Sequence, residues 1–288
     1  MKLSDWYYQH LGKLLIIPIL ILIVSIIVIA VTFQKTDDII YKDVSLTGGV
    51  SARVEVPADI HQVQAVLEEK LGTQVIVKEL KEFGSDTPTG FTVEVAEVES
   101  PVLENALEEI LKVPLTEDNF SLEQTGSRLG ESFYKQMLTA VLFAFLFMAI
   151  VVFVTFRSFI PSVAVVAAAF FDILATIAFL DVIHFPISTA GIAALLLLIG
   201  YSIDTDVLLT TRVLKREGAV KDQIFSSIST GVTMTMTALV AVLAGLLLTN
   251  SDVIREIFLI MLVGLIFDLI STWITNVYII RSYAEHKK

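Results

Sequence analysis

The 288-residue chain has no cysteine, which excludes disulfides, zinc–thiolate centres, iron–sulfur clusters and cysteine nucleophiles. Charge is scarce as well. Only 18% of residues are Asp, Glu, Lys or Arg, against about 25% in an ordinary globular domain. Bases are in the minority, and a net charge of −11 speaks against nucleic acid, which asks for a basic face. The sequence shows no ATP-binding loop, metal motif or hydrolase signature, so no cofactor and no metal are expected. Any work would draw on an ion gradient or a partner. Apolar side chains are what the chain has in excess: 55% of residues are hydrophobic and the mean hydropathy is +0.77. Runs of bilayer-spanning length account for that excess and mark an integral membrane protein.

A helix needs roughly 17–25 mostly apolar residues to cross the hydrocarbon core. Leu14–Phe33 is such a run without a charge. It exceeds the apolar stretch of about 7–15 residues typical of a signal peptide, and is expected to remain as a first helix. Five further spans follow: Met137–Thr155, Ser162–Leu180 with Asp172, Ile187–Leu209 with Asp204 and Asp206, Ile224–Leu248, and Ile257–Ile280 with Asp268. The organisation predicted is a short cytoplasmic N-terminus (1–13), a first helix (14–33), an exterior domain (34–135), helices two to six (136–281) and a cytoplasmic tail (282–288). Lys and Arg in the flanking segments set the orientation. With both termini cytoplasmic, ten fall inside, whereas the two short outside loops hold only Arg255. The expected location is the cytoplasmic membrane, with several passes.

Segment 34–135 carries 20 acidic and 9 basic residues, so the whole net charge resides there, as a solvated acidic surface. Its hydrophobicity alternates. Val50–Val56 reads as a strand ending at Pro57. Asp59 and Gln62 read as a capping box opening a helix to about Leu71. Thr73–Leu80 is a second strand, Gly84–Gly90 a loop, and Phe91–Ala96 a third strand. Ser100 caps a second helix, with Pro101 at its first position, running to about Lys112; Phe120 and Leu122 mark a last strand. The order β-α-β-β-α-β predicts a ferredoxin-like unit, a binding or positioning module. His61 is its only histidine and reads as a surface or half-buried side chain.

The acids within the spans carry the most information. A carboxylate at mid-membrane costs on the order of 2.5–3.5 kcal/mol, so Asp172, Asp204, Asp206 and Asp268 should face the bundle interior or a partner, or be protonated. They serve either as hydrogen-bond acceptors for neighbouring hydroxyls or as an ion path. Residues two apart differ by about 200° around a helix, so Asp204 and Asp206 cannot share a face. Asp204 lies nearer Gly200, where another helix could approach closely, and is expected to be the buried one, held by hydroxyls of the fifth span. That span is rich in Ser, Thr and Gly, including Gly231 and Thr233, and suits tight packing. Arg212 reads as a cytoplasmic topology anchor.

The stretch from Ile199 to Arg212, IGYSIDTDVLLTTR, including Gly200, Tyr201 and Ser202, resembles the fourth-helix signature of the SecF family. That family forms the smaller subunit of the SecDF protein-export complex, within the resistance–nodulation–division superfamily. Leu46–Val50 (LTGGV, with Gly48 and Gly49) resembles the family motif after the first helix. Gln124–Gly130 (QTGSRLG, with Gly126 and Gly130) resembles the one leading into the second. Phe171-Asp172 stands where the family usually has His-Asp in the third helix. The resemblance covers essentially the whole chain. It implies a SecD partner packing pseudo-symmetrically, association with the Sec protein-conducting channel, and assistance to a translocating polypeptide at the lipid bilayer. Asp204-Thr205-Asp206 replaces the bacterial Asn-Asp-Thr, and Phe225–Thr230 lacks the bacterial fifth-helix arginine, so the family's proton relay does not transfer residue by residue. Both the short Asp-Thr-Asp version and the lack of cysteine look archaeal. The alternatives are a small-molecule exporter of the same superfamily, disfavoured because such exporters usually repeat the six-helix unit, and an intramembrane enzyme, for which no catalytic pattern exists.

Overall fold

The computed structural model of the protein describes residues 3–73, 75–81, 88–96, 98–116, 119–249 and 251–287. Among them are six helical stretches long and apolar enough to cross a membrane. The first combines α1 (Leu3–Leu14) and α2 (Ile16–Thr36). After a single-turn α3 (Val44–Thr47) comes the sheet-bearing part: β1 (Gly49–Val54), α4 (Ile60–Leu71), β2 (Val75–Lys81), β3 (Pro88–Val95), α5 (Ser100–Leu111) and β4 (Phe120–Thr125). Five long helices complete the chain: α6 (Ser127–Phe156), α7 (Phe159–Val182), α8 (Thr189–Lys215), α9 (Val220–Leu248) and α10 (Asp252–Ile270). α10 passes through a π-helical turn at Ser271–Asn276 into α11 (Val277–Lys287).

The four strands form one antiparallel sheet in the order β2-β3-β1-β4. Alternation in the sequence becomes the two faces of this sheet. Val50, Ala52, Val54, Val75, Phe91, Val93 and Val95 all point to one side, where Val63 and Leu67 of α4 and Leu103 and Leu107 of α5 cover them completely. Asp59 accepts from the backbone N–H groups of His61 and Gln62 and so opens α4; Gly72, at φ 63°, closes it. The expected capping role of Ser100 is corrected. Ser100 is itself the first helical residue, Glu99 holds the cap position without a side-chain bond, and the Ser100 hydroxyl donates instead to Gln124 Oε1 at 2.7 Å. Part of the expected loop Gly84–Gly90 is also corrected. Pro88–Gly90 belongs to β3, where proline is tolerated as the first residue of a strand, while residues 82–87 lie outside the described set.

In the bundle, α7 is the inner helix, and α2, α6, α8 and α10 pack on it. Small and branched side chains make this approach possible. Ala169, Ile173 and Ile177 of α7 meet Leu195, Leu198 and Ile199 of α8 and Leu265 of α10. α2, α6 and α9 show long rows of exposed Ile, Leu, Val and Phe, a surface suited to lipid. At the ends, Pro18 and Pro161 sit in first helical turns, where a missing N–H costs nothing.

The sheet joins the bundle at a built joint. Lys42 bridges Ile187, with the Asp43 N–H donating to the Ile187 carbonyl at 3.0 Å and the Ile187 N–H donating to Tyr41 at 2.8 Å. Gly130 closes it from α6, since a Cβ there would stand 2.7 Å from the Gly48 nitrogen and 2.9 Å from the Leu46 carbonyl. Gly49, at φ 141°, has the same crowding against the Val95 carbonyl. Nothing lies within 4 Å of a Cβ at Gly126. Gly130→Ala is therefore expected to cost about 1–3 kcal/mol by overpacking, and Gly126→Ala to stay within about 0.5 kcal/mol, as read from thermal unfolding in detergent.

Candidate functional site

Three carboxylates meet inside the bundle, one from each of α7, α8 and α10. Asp172, Asp206 and Asp268 are fully buried. Asp172 accepts from the Ser202 hydroxyl at 2.7 Å and from the Ser271 hydroxyl at 2.6 Å. Asp206 Oδ1 accepts from Thr272 at 2.9 Å and from the Asn276 amide at 2.6 Å. Asp268 accepts from Thr272 at 3.2 Å and from Thr205 at 3.5 Å. Among the described residues no Lys, Arg or His forms an ion pair with any of the three. Burying ionised groups without compensation is costly, so these hydroxyls and the amide are what hold the cluster.

Donor protons are fewer than the acceptors need. Thr205 lies closer to the Ser202 carbonyl, at 2.9 Å, than to Asp268. Asp268 also lies within hydrogen-bonding reach of Ser202 and of the Asp172 carboxyl, while the single hydroxyl proton of Thr272 is claimed by both Asp206 and Asp268. Asp206 Oδ2 and Asn276 Oδ1 are buried with no partner at all. Three of the donors, Ser271, Thr272 and Asn276, come from the π-helical turn. Ser271 serves α7 while Thr272 and Asn276 serve α8, and π-helical turns concentrate at functional sites.

Asp204 and Asp206 exchange the places expected of them. The inward stripe of α8 is Ser202, Thr205, Asp206, Leu209 and Val213, and it faces α10. Asp204 does share a face with Gly200, but that face, with Leu197, is exposed, and no atom lies within 4 Å of a Cβ at Gly200. The expected donation from α9 to the aspartates is likewise corrected. Ser227, Thr233 and Thr237 bond carbonyls of their own helix, which engages their hydroxyl protons. Ser226 and Thr230 of α9 instead receive Arg212 Nη1, at 3.1 and 2.9 Å, with a further bond to the Ser226 carbonyl at 2.6 Å. Arg212 thus ties α8 to α9. Gly231 has a packing role, since a Cβ there would overlap the Trp273 ring. Tyr201 is half-buried against the bundle core. Ser271, Thr272, Asn276 and Thr205 escaped the sequence reading, although the polar run STWITN within an apolar span was a visible signal.

A polytopic bundle with a buried carboxylate cluster, unpaired by any basic residue among those described, and a small sheet domain after its first helix has the build of a membrane transport protein. The comparisons make it particular. The model of the protein-export membrane protein SecD/SecF C-terminal family matches residues 106–286. The chain is 35% identical over 277 residues to the protein-export membrane protein SecF of Methanolacinia petrolearia, covering 95% of this chain and 94% of that one. To SecF of Pyrococcus furiosus it is 33% identical over 278 residues, covering 96% and 92%. The crystal structure of SecDF from Thermus thermophilus, titled a translocon-associated membrane protein, superposes with a TM-score of 0.75 at 21% identity, over 98% of this chain. The chain spans 39% of that SecDF chain. This chain belongs to the SecF family of protein-export membrane proteins.

If the donors of the π-helical turn hold the cluster, Asn276→Ala should cost about 1–3 kcal/mol, because it removes the shorter of the two hydrogen bonds to the buried Asp206 Oδ1. A double-mutant cycle of Asn276→Ala with Asp206→Asn should give a coupling of about 0.5–3 kcal/mol. Asp204→Asn should stay within about 0.5 kcal/mol for the purified chain. Thermal unfolding in detergent measures all three.

Proposed function

We propose that this chain is the SecF subunit of a protein-export complex, working with a SecD partner at the Sec channel to assist polypeptides across the cytoplasmic membrane by moving protons through the Asp172–Asp206–Asp268 cluster. The carrying observation is the shared proton of Thr272. Asp206 and Asp268 both take the Thr272 hydroxyl, and Asp206 Oδ2 is buried without a partner, so one more proton between them would add a bond to the network and give the cluster two states that differ by a single proton. Those states pull differently on the π-helical turn, which connects α10 to α11.

On this reading both termini are cytoplasmic, and the sheet domain is an exterior ferredoxin-like module; its strand order and its two crossover helices support that assignment. The exposed face of α8, with Leu197, Gly200 and Asp204, is the surface that packs on SecD. A carboxylate exposed at the depth of the bilayer is costly towards lipid, and a glycine with open space beside it suits the close approach of a second helix.

Co-expression of the chain with its SecD, followed by co-purification and an export assay, tests this. Asp206→Asn should leave the complex intact and lower export at least about tenfold, a barrier change near 1.4 kcal/mol. Gly200→Val should leave the purified subunit as stable as the parent but weaken the complex. Unchanged export by Asp206→Asn would remove the proton reading, and an intact complex with Gly200→Val would remove the assigned face. The topology is tested separately in this cysteine-free chain: a single cysteine replacing Gly218 should react with a membrane-impermeant thiol reagent only from the cytoplasmic side.

A further inference from the structure

A second polar site lies at the joint between the sheet and the bundle. On the face of the sheet opposite its helices, Glu94 of β3 is only 7% exposed. Its Oε1 accepts from Lys78 Nζ at 2.6 Å, but its Oε2 is buried with no partner. Glu94 borders a cavity of about 280 Å³. Val44, Ile76 and Ala96 form its apolar wall, and Thr47, Thr73 and Lys42 line the remainder.

The charges around this cavity are unbalanced. Both lysines are already engaged, Lys78 by Glu94 and Lys42 by Asp38 at 2.6 Å. Asp43 and Glu256 add their fields to that of Glu94. Glu256 is occupied by the Ser188 N–H and hydroxyl, both at 2.7 Å, and Asp43 accepts from the Ser45 N–H at 3.2 Å. Burial, reinforced by Asp43 and opposed by Lys78, pushes the Glu94 carboxyl above its ordinary range. A buried carboxylate oxygen without a donor is an unmet demand, and a charged donor meets it best. Among the described residues no group of His, Asp and Glu has the arrangement that holds a metal ion.

We propose that this cavity receives the basic side chain of an extended polypeptide, with Glu94 Oε2 accepting from the ammonium or guanidinium and the methylene stem lying on Val44, Ile76 and Ala96. Long basic side chains bury their stems and need a partner only at the tip. β2 is an edge of the sheet, so a chain pairing along it would pass Thr73 and Ile76 at the cavity wall. That the occupant is a polypeptide rests on the export reading; the demand for a cation does not.

The test uses the full chain in lipid nanodiscs and fluorescein-labelled ten-residue Gly/Ser peptides with a central Lys, norleucine or Glu, followed by fluorescence anisotropy. The Lys peptide should bind at least about tenfold more tightly than the norleucine peptide, and the Glu peptide should not bind. Glu94→Gln should abolish the Lys preference. Ala96→Leu, which fills the cavity and leaves Glu94 intact, should weaken the Lys peptide while unfolding at the same temperature as the parent. Equal binding of the Lys and norleucine peptides, or a Lys preference surviving Glu94→Gln, overturns the proposal. Binding of N-acetyl-lysine amide without binding of the peptide overturns the polypeptide occupant. None of these outcomes depends on export, so the two readings fail separately.

Discussion

Everything in the bundle answers to one constraint: three aspartates are buried together and, among the described residues, no basic side chain pairs with them. Asp172, Asp206 and Asp268 come from three different helices, and their hydroxyl and amide partners come from two. Satisfying each carboxylate therefore means fixing α7, α8 and α10 relative to one another. In lipid, where burial of apolar surface gives helices no drive to associate, hydrogen bonds and close packing take its place. The alanines of α7 and the glycine opposite Trp273 provide the closeness. The π-helical turn carries the donors: Ser271 reaches Asp172 of α7, while Thr272 and Asn276 reach Asp206 of α8.

The joint at the other end of α8 obeys the same rule with a different solution. Glu256 of α10 meets the N-terminus of α8 through Ser188, a place where a negative charge is favoured by the helix dipole. The Ser188 hydroxyl in turn accepts from the N–H groups of Ala190 and Gly191. The backbone bridge from Lys42 to Ile187 and the bond from the Thr189 N–H to Ser45 attach the segment before the sheet to the same point. α8 is thus held at its start by the domain that follows the first helix and further along by the carboxylate cluster. On the export reading, a change of proton occupancy at Asp206 has a direct route along this helix to the sheet.

The sequence disclosed the spans because twenty uncharged residues have no other physical use, and it disclosed the strands because alternation survives into burial: Val50, Ala52 and Val54 are all inward. The aspartates were visible as candidates because charge in a span is rare. Their roles were not visible. Helical geometry separated Asp204 from Asp206 correctly, but which face turns inward depends on where α10 and α7 stand, and that is tertiary information. The fifth span's hydroxyls suggested donors by proximity in sequence, whereas the actual donors are Ser202 and Thr205 of α8 and three residues that follow Asp268 by three to eight positions, in a turn whose π geometry no local propensity announces. The joint was hidden for a similar reason, since it links residues 42 and 187 across the whole sheet domain.

The central claim, that the three aspartates change proton occupancy as a unit during work, is tested most directly by infrared difference spectroscopy of the carboxylic acid C=O stretch. The complex would be reconstituted in liposomes and a proton gradient switched on. The account predicts a carboxylic acid band that appears with the gradient, is altered by Thr272→Val and is lost in the Asp206→Asn variant. A spectrum with no gradient-dependent carboxyl band, or a band unchanged by both substitutions, would contradict it.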